Sequence, residues 1–382
     1  MKYRTLGRTQ ILVSELGMGS EGFSGKNEKD AAELVQTALE NGINYFDMYN
    51  SDPKLHRNFG AGLGNARRQV AIQGHLCTAW QDDQYLRTRD FELTKKSFEN
   101  MLHNLGTDYI DVGMLHCIDG EKDFQIVFDG PIYRYAQELK QAGVIRHIGI
   151  SSHNPVTAKK AVELGDIDVV MFSVNPCYDM VPPSEDLELL WADESYEKPL
   201  HNFDPIREDL YMTCAANGVG ITVMKAFGGG DLLDEKLSPF GVRMTPAQCI
   251  HYSLTRPAVA TVLGGFHTPQ ELRESMSYFT TPEKERDYAT VLSHLQKHSF
   301  SGRCMYCGHC APCPVHIDVA SVNKYLNLAL AQGFVPETVA MHYNTLEHHA
   351  EECLQCGSCN RNCPFGVPAM QQIAKAKEIF GY

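Results

Sequence analysis

The sequence predicts an α/β chain: a (β/α)8 TIM barrel followed by a small, mainly α-helical module. Three observations lead there. Short β-branched or aromatic runs alternate with helical patterns across residues 1–280. The one early G-x-G-x-x-G, Gly17-Met18-Gly19-Ser20-Glu21-Gly22, does not open a helix, since the next helical run starts near Asp30, so the main sign of an open dinucleotide-binding sheet is missing. Eight of the 13 cysteines crowd into residues 304–363 and set the C-terminal end apart. We therefore divide the chain into a barrel over 1–280, a helical connector over 281–299 and a cysteine-rich module over 300–382.

The elements justify the class in order. Val13–Gly17 is the first strand run. A helix from about Asp30 to Asn41, closed by Gly42, leads into the second, Ile43–Asp47. Val70–His75 is the third, followed by a helix over roughly Asp90–Leu105. Tyr109–His116, Ile145–Ser151, Asp168–Ser173, Gly220–Lys225 and Val259–Leu263 complete eight. Strands alternating with helices pair in parallel through right-handed crossovers, and eight such units close into a barrel. The connector runs from Thr281 to His298, and a further helix spans about Val319–Gln332. The 39 residues between Cys313 and Cys353, with that helix among them, fit an α-helical module better than a compact β-rich one.

A barrel presents its chemistry at the carboxyl ends of its strands. Those ends carry Asp47, His75, His116, Ser151-Ser152-His153, Asn175 and Lys225. The stretch from Asn175 to Asp209 is long and rich in Pro, Asp, Glu and aromatics, and reads as a lid over the mouth or as ornamental packing. Cys117 follows His116, so strand alternation turns it away from the mouth and into the core. His153 reads as a cap for the helix that begins near Pro155.

The cysteines form two runs, Cys304-x2-Cys307-x2-Cys310-x2-Cys313-Pro314 and Cys353-x2-Cys356-x2-Cys359-x3-Cys363-Pro364. Four thiolates per run match the ligand count of a cubane 4Fe–4S cluster, and the second spacing is the bacterial ferredoxin pattern. Structural zinc uses paired C-x2-C units, usually with a long spacer between them. Disulfides suit secreted chains, whereas Met1-Lys2-Tyr3-Arg4 leads into polar sequence with no leader. Two 4Fe–4S clusters are therefore expected. In the two-cluster arrangement the fourth cysteine of each run serves the other cluster. Cys304, Cys307, Cys310 and Cys363 would then hold one, and Cys353, Cys356, Cys359 and Cys313 the other. The x2 closure of the first run leaves that partition open.

Composition narrows the partners. A formal charge of −13 without a Lys/Arg cluster argues against a nucleic-acid groove. No apolar run approaches the ~20 residues of a membrane span. The other cysteines (Cys77, Cys117, Cys177, Cys214, Cys249) are scattered, as buried thiols in a reducing cytoplasm would be.

Several stretches resemble the aldo/keto reductases, in the branch with a C-terminal ferredoxin-like extension. They are Tyr3–Thr9 with Val13–Gly19, Gly42–Asp47, Asp108–Asp111 through Leu115-His116, Gly149–Asn154 and Val223–Gly230. The resemblance implies a carbonyl reductase using NADP(H) or NAD(H) through an Asp, a Tyr acid, a Lys that lowers the Tyr pKa, and a His. Asp47 and His116 match. Asp52 stands where the Tyr is expected, with Tyr49 able to rotate into its place, and His75 stands where the Lys is expected. On the cofactor side the resemblance implies contacts through Ser151, Ser152, Asn175, Lys225, Gly228, Gly229, Gly265 and Thr268. Met171, Val174, His267 and Ser275 replace the family's Gln, stacking Tyr, phosphate-binding Arg and adenine-side Asn. A neutral His cannot supply the bidentate contact Arg makes to phosphate.

Asp47, Asp52, His75 and His116 can form a modified acid/base site, a divalent-cation site or a hydrogen-bonded remnant. The expected function is an iron–sulfur oxidoreductase acting on a small polar carbonyl or hydroxy compound, with electrons from an external ferredoxin or flavoprotein. The alternatives are a nicotinamide-independent lyase, dehydratase or isomerase, and an electron-transfer subunit.

Overall fold

The computed structural model describes residues 1–180, 204–238, 240–288, 291, 304, 308–332, 334–335, 337–363 and 366–382. The chain divides into two compact units. The first comprises 1–80, 87–185 and 201–295, and the second 81–86, 186–200 and 296–382.

Eight parallel strands close the barrel of the first unit. They are β1 (Leu16–Gly19), β2 (Tyr45–Met48), β3 (Ala71–Leu76), β4 (Ile110–Leu115), β5 (Ile145–Ser152), β6 (Val169–Ser173), β7 (Gly220–Met224) and β8 (Val259–Gly264). Each pairs with the next, and β8 pairs with β1 through Val262 and Leu16. The period of two sorts the side chains. Tyr45, Ala71, Val112, Met114, Val169 and Met171 form one buried cluster inside the barrel. Phe46, Ile72, Val170 and Phe172 face the helices in another. Phe59 of the helix Pro53–Leu63 packs edge-on against both Phe46 and Phe23. Burying such a ring contributes about 1.5–3 kcal/mol.

Seven strand runs read from sequence coincide with barrel strands to within two residues at each end; the first is divided. Leu12–Ser14 pairs antiparallel with Tyr3–Thr5 in a separate hairpin, and the barrel strand starts at Leu16. The reason is packing: Leu6 and Val13 of that hairpin join the cluster inside the barrel. Gly7, at φ +51°, turns the hairpin, and a Cβ there would lie 2.3 Å from the Gly220 nitrogen.

A second hairpin, Thr78–Gln81 with Gln84–Arg87, follows β3. Its tip, 81–86, counts with the second unit. That unit holds the helices Val319–Gln332, Glu337–Asn344, Ser358–Asn362 and Ala369–Phe380. Its centre is Tyr343, which is fully buried and stacks on Phe380 at 4.0 Å. The helix expected at Val319–Gln332 is present with those bounds. Of the expected connector, the turn of helix Glu283–Arg286 is described, while 289–290 and 292–299 lie outside the described residues. The same is true of 181–203 in the long stretch after β6. Among the described residues no helix is long and apolar enough to cross a membrane.

Candidate active site and cluster module

Period-two alternation brings Asp47, His75 and His116 to one end of the barrel interior. Asp47 and His75 lie near the carboxyl ends of β2 and β3, and His116 follows β4 directly. The two inner groups are 1% and 2% exposed, while His116 is half-buried. His75 Nε2 lies 2.7 Å from Asp47 Oδ1, and His75 Nδ1 lies 2.8 Å from His116 Nδ1. Ser151 Oγ stands 3.3 Å from the same His116 nitrogen and accepts from the Cys117 N–H at 2.7 Å. The carboxylate assigns the tautomers. An ionised Asp47 only accepts, so His75 carries its proton on Nε2 and, when neutral, accepts at Nδ1. His116 then donates from Nδ1.

A residue that sequence reasoning passed over supports this chain. Gln73 Nε2 donates to Asp47 Oδ1 at 2.7 Å, while its Oε1 accepts from the Tyr45 hydroxyl at 2.8 Å and from Thr222 Oγ1 at 3.1 Å. Burial first, then the Asp47 charge, push the Tyr45 phenol well above its usual range, so it remains a donor. The signal was available: Gln73 is two residues before His75 and so shares its face of the strand.

Tyr49 and Asp52 stand differently. The Tyr49 ring lies parallel to His116 with centroids 6.2 Å apart, and its hydroxyl donates to Glu21 Oε1 at 3.4 Å. Asp52, expected to share the acid/base work, is the N-cap of the helix Pro53–Leu63 and accepts from the Lys54 N–H at 2.8 Å. Pro53 in the first turn presets that helix start, which draws the Asp52 carboxylate to the backbone. A cation at the mouth would have to displace a partner of His75, whose two ring nitrogens are both engaged.

In the second unit, an open cavity is lined by Cys313, Cys353, Cys356 and Cys359. Val315, Ile317, Val319, Leu354, Met370 and Ile373 supply its apolar walls. Gly357, at φ +70°, turns the loop between two of the cysteines. The Gln355 N–H donates to Cys353 Sγ at 3.4 Å. Hydrogen bonds from Ser358 at the start of the helix Ser358–Asn362 lower the Cys356 pKa, which favours thiolate. Burial first, and the charges of Cys353 and Cys313 after it, raise the Cys359 pKa. Four cysteines around one apolar bowl match the ligand count of a 4Fe–4S cubane. Of the other four cysteines, Cys307 lies outside the described residues. Asn362 Nδ2 donates to the Ala311 carbonyl at 3.3 Å, which joins the residue before Cys363 to the one after Cys310.

Comparison with known proteins bears on both units. The model of the aldo/keto reductase family matches residues 15–248, more than half of the chain. The chain belongs to the aldo/keto reductase family. Residues 301–367 match a 4Fe-4S dicluster domain. The uncharacterized oxidoreductase YqkF of Bacillus subtilis is 27% identical over 72% of this chain and 90% of its own length. The NADH-specific methylglyoxal reductase of Escherichia coli is 23% identical over 77% of this chain and 98% of its own. The holo form of an aldo-keto reductase from Bacillus halodurans shares the fold, with TM-score 0.60 and 22% identity over 78% of this chain and 98% of its own.

Against that family, the nicotinamide side of this member is occupied by its own contacts. Ser152 Oγ donates to Asp119 Oδ1 at 3.0 Å. Asn175 Oδ1 accepts from the Cys177 and Tyr178 N–H groups at 2.9 and 3.0 Å, and its Nδ2 donates to the Lys225 carbonyl at 2.9 Å. Met171 Sδ accepts from Gln73 inside the barrel, and the buried Val174 offers no ring face for stacking. Thr268 caps the helix Pro269–Met276. The His267 N–H binds the Glu271 carboxylate at 2.8 Å, which sets an anion where a 2′-phosphate would need a cation. Gly265 lies beside Glu21, whose Oε2 is 3.2 Å from the position of a Cβ there. Lys225, Gly228 and Gly229 keep the positive-φ turn of a phosphate loop. Of the residues expected to meet a nicotinamide dinucleotide, Ser152, Asn175, Thr268 and His267 are thus engaged by the chain's own atoms, whereas the turn at Lys225, Gly228 and Gly229 is kept.

Asp119 organises the loops next to the relay. Its carboxylate accepts from the His153 N–H at 2.6 Å, lies 3.1 Å from His153 Nδ1 and accepts from Cys117 Sγ at 3.1 Å. Two expectations change here. The helix at Pro155 is capped by Asn154, which leaves His153 to pair with Asp119. Cys117 is buried, but among polar partners, since Arg87 Nη1 donates to its sulfur at 3.2 Å. Burial opposes the His153 charge, but Asp119 outweighs it and lifts the imidazole from 6.5 to about 10. A raised folded pKa contributes stability that is complete below the unfolded value and is lost as pH rises through the folded one. The His153 contribution should therefore be full below pH 6.5 and fade towards about 10. NMR titration of the His153 ring should find it protonated at pH 8, and a midpoint near 6.5 would contradict the pairing.

Proposed function

We propose that the chain is an iron–sulfur oxidoreductase acting on a small polar carbonyl or hydroxy compound, with Asp47, His75 and His116 as its proton relay. The observation that carries this reading is the hydrogen-bonded series of 2.7 and 2.8 Å from a buried carboxylate to a half-buried imidazole at the carboxyl ends of the barrel strands. The relative that reduces methylglyoxal makes a small carbonyl the natural substrate class.

Reducing a carbonyl to a hydroxy compound takes two electrons and two protons. The clusters supply electrons singly when bound, drawn from an external ferredoxin or flavoprotein. The residues handle the protons. His116 gives a proton from Nε2 to the substrate oxygen and keeps its Nδ1 proton towards His75, while solvent supplies the second proton, which goes to the carbonyl carbon. In the charged state the extra proton can rest on His116 or, by transfer between the facing Nδ1 atoms, on His75 beside Asp47. The relay thereby separates the group that meets substrate from the buried carboxylate that stabilises the charge. Ser151, held by the Cys117 N–H, keeps the His116 ring in place.

The engagement of Ser152, Asn175, Thr268 and His267 by the chain's own atoms also favours a second reading, a lyase, dehydratase or isomerase that uses the same relay without net electron flow. Anaerobic assays separate them. Chemically reduced protein should consume a small hydroxycarbonyl at two electrons per molecule, and NADPH or NADH at millimolar concentration should neither bind nor support turnover. Conversion by fully oxidised protein with no electron source would sink the reductase reading in favour of the second.

A further inference from the structure

Three of the four cysteines around the cavity, Cys353, Cys356 and Cys359, share one tight loop, and their x2 spacing alone holds them near one another. Cys313 arrives from the other run and has no such tether. Its anchor comes from far away in the chain. Gln84, in the hairpin that follows β3, places its carboxamide against the Cys313 backbone, 229 residues away in sequence. Gln84 Nε2 donates to the Cys313 carbonyl at 2.5 Å, and Gln84 Oε1 accepts a short bond from the Cys313 N–H. The same Nε2 lies 3.1 Å from His316 Nδ1, and the His316 N–H donates to the Cys313 carbonyl at 3.0 Å. Gln84 is 9% exposed, so these bonds are sheltered from water. One amide that pairs with both backbone groups of a residue fixes it as a neighbouring strand would. It also takes up the Cys313 N–H, which otherwise could donate to cluster sulfur as the Gln355 N–H does to Cys353.

We propose that Gln84 is a positioning residue for a 4Fe–4S cluster, holding Cys313 in place as its fourth ligand. The proposal rests on the reading that Cys313, Cys353, Cys356 and Cys359 hold that cluster, and the test separates the two claims. Full-length protein, loaded anaerobically, is compared as wild type, Cys313→Ala, Gln84→Ala and Gln84→Glu. The readouts are iron content, the EPR spectrum after dithionite, and the rate of iron loss to bipyridyl. Cys313→Ala should hold about half the iron of wild type, one cluster in place of two. Gln84→Ala should load both clusters but release one about tenfold faster, as expected for the loss of two sheltered hydrogen bonds. The other cluster should leave at the wild-type rate. Gln84→Glu, nearly isosteric, keeps an acceptor for the Cys313 N–H but turns an oxygen towards the Cys313 carbonyl, and should release that cluster as fast as Gln84→Ala. Wild-type release rates and spectra in both Gln84 variants, with iron halved in Cys313→Ala, would overturn the role of Gln84 alone. Full iron and an unchanged spectrum in Cys313→Ala would overturn the ligand assignment and the proposal with it.

Discussion

Replacing His75 with Asn is expected to lower turnover by about two to four orders of magnitude while leaving the EPR spectrum of the reduced protein unchanged. His75 is the middle of the series, bonded through Nε2 to Asp47 and through Nδ1 to His116. Asn can hold one of these partners but cannot take up a proton and pass it on. The His116 ring would then carry its charge without the buried carboxylate behind it. The loss should fall mainly on kcat, because a 2% exposed residue does not reach the substrate. His116→Asn should cost at least as much, since His116 is the half-buried end of the series. The solvent isotope effect separates relay from scaffold. Wild-type turnover should slow in D2O through the proton transfers of the series, and His75→Asn should change that solvent isotope effect. A variant that keeps more than a tenth of wild-type activity, or loses its clusters along with its activity, would refute the assignment.

The barrel was legible because its strands are short, apolar and evenly interrupted by helices, and because alternation then dictates which side chains face inward. Asp47, His75 and His116 could be placed at one end of the barrel from that rule alone. What could not be read was how side chains divide their hydrogen bonds. Asp52 has the chemistry of an acid and the position of one, yet the first turn of a proline-led helix leaves N–H groups unpaired and the carboxylate serves them. His153 looks like a cap, but Asn154, one residue on, has the shorter side chain that reaches the helix backbone. The resemblance of Ser152 and Asn175 to cofactor contacts carries no record of the loops that claim their polar atoms. Gln84 left no local signal, because its partner is 229 residues away and spacing rules reach only a few turns.

Asp179→Ala is expected to destabilise the barrel by about 3–5 kcal/mol, the cost of leaving a buried ion pair half made. Asp179 and Arg207 are both fully buried and meet at 2.9 Å. The Asp179 carboxylate also accepts from the Tyr211 hydroxyl at 2.5 Å and from the Tyr252 hydroxyl at 2.9 Å. Burial first, then the Asp179 charge, push both phenols well above their ordinary range, so they remain donors that need an acceptor. Removing the carboxylate takes an acceptor from both hydroxyls and leaves the guanidinium with the Ser173 carbonyl at 2.5 Å and the face of Phe172 at 4.6 Å. The cluster also ties the backbone after β6 to the helix Pro205–Ala216, since the Asp204 N–H donates to the Asp179 carbonyl at 2.7 Å. At roughly 2–4 °C per kcal/mol for a large domain, thermal unfolding of the loaded chain should shift down by about 6–20 °C. The paired change Asp179→Leu with Arg207→Met removes both charges and refills the space, and should recover part of that loss because no ion is left stranded. A shift of less than 2 °C in Asp179→Ala would mean that water or another group satisfies Arg207. Equal losses in the single and paired variants would place the cost in packing and in the two phenols, with no share left for the stranded charge.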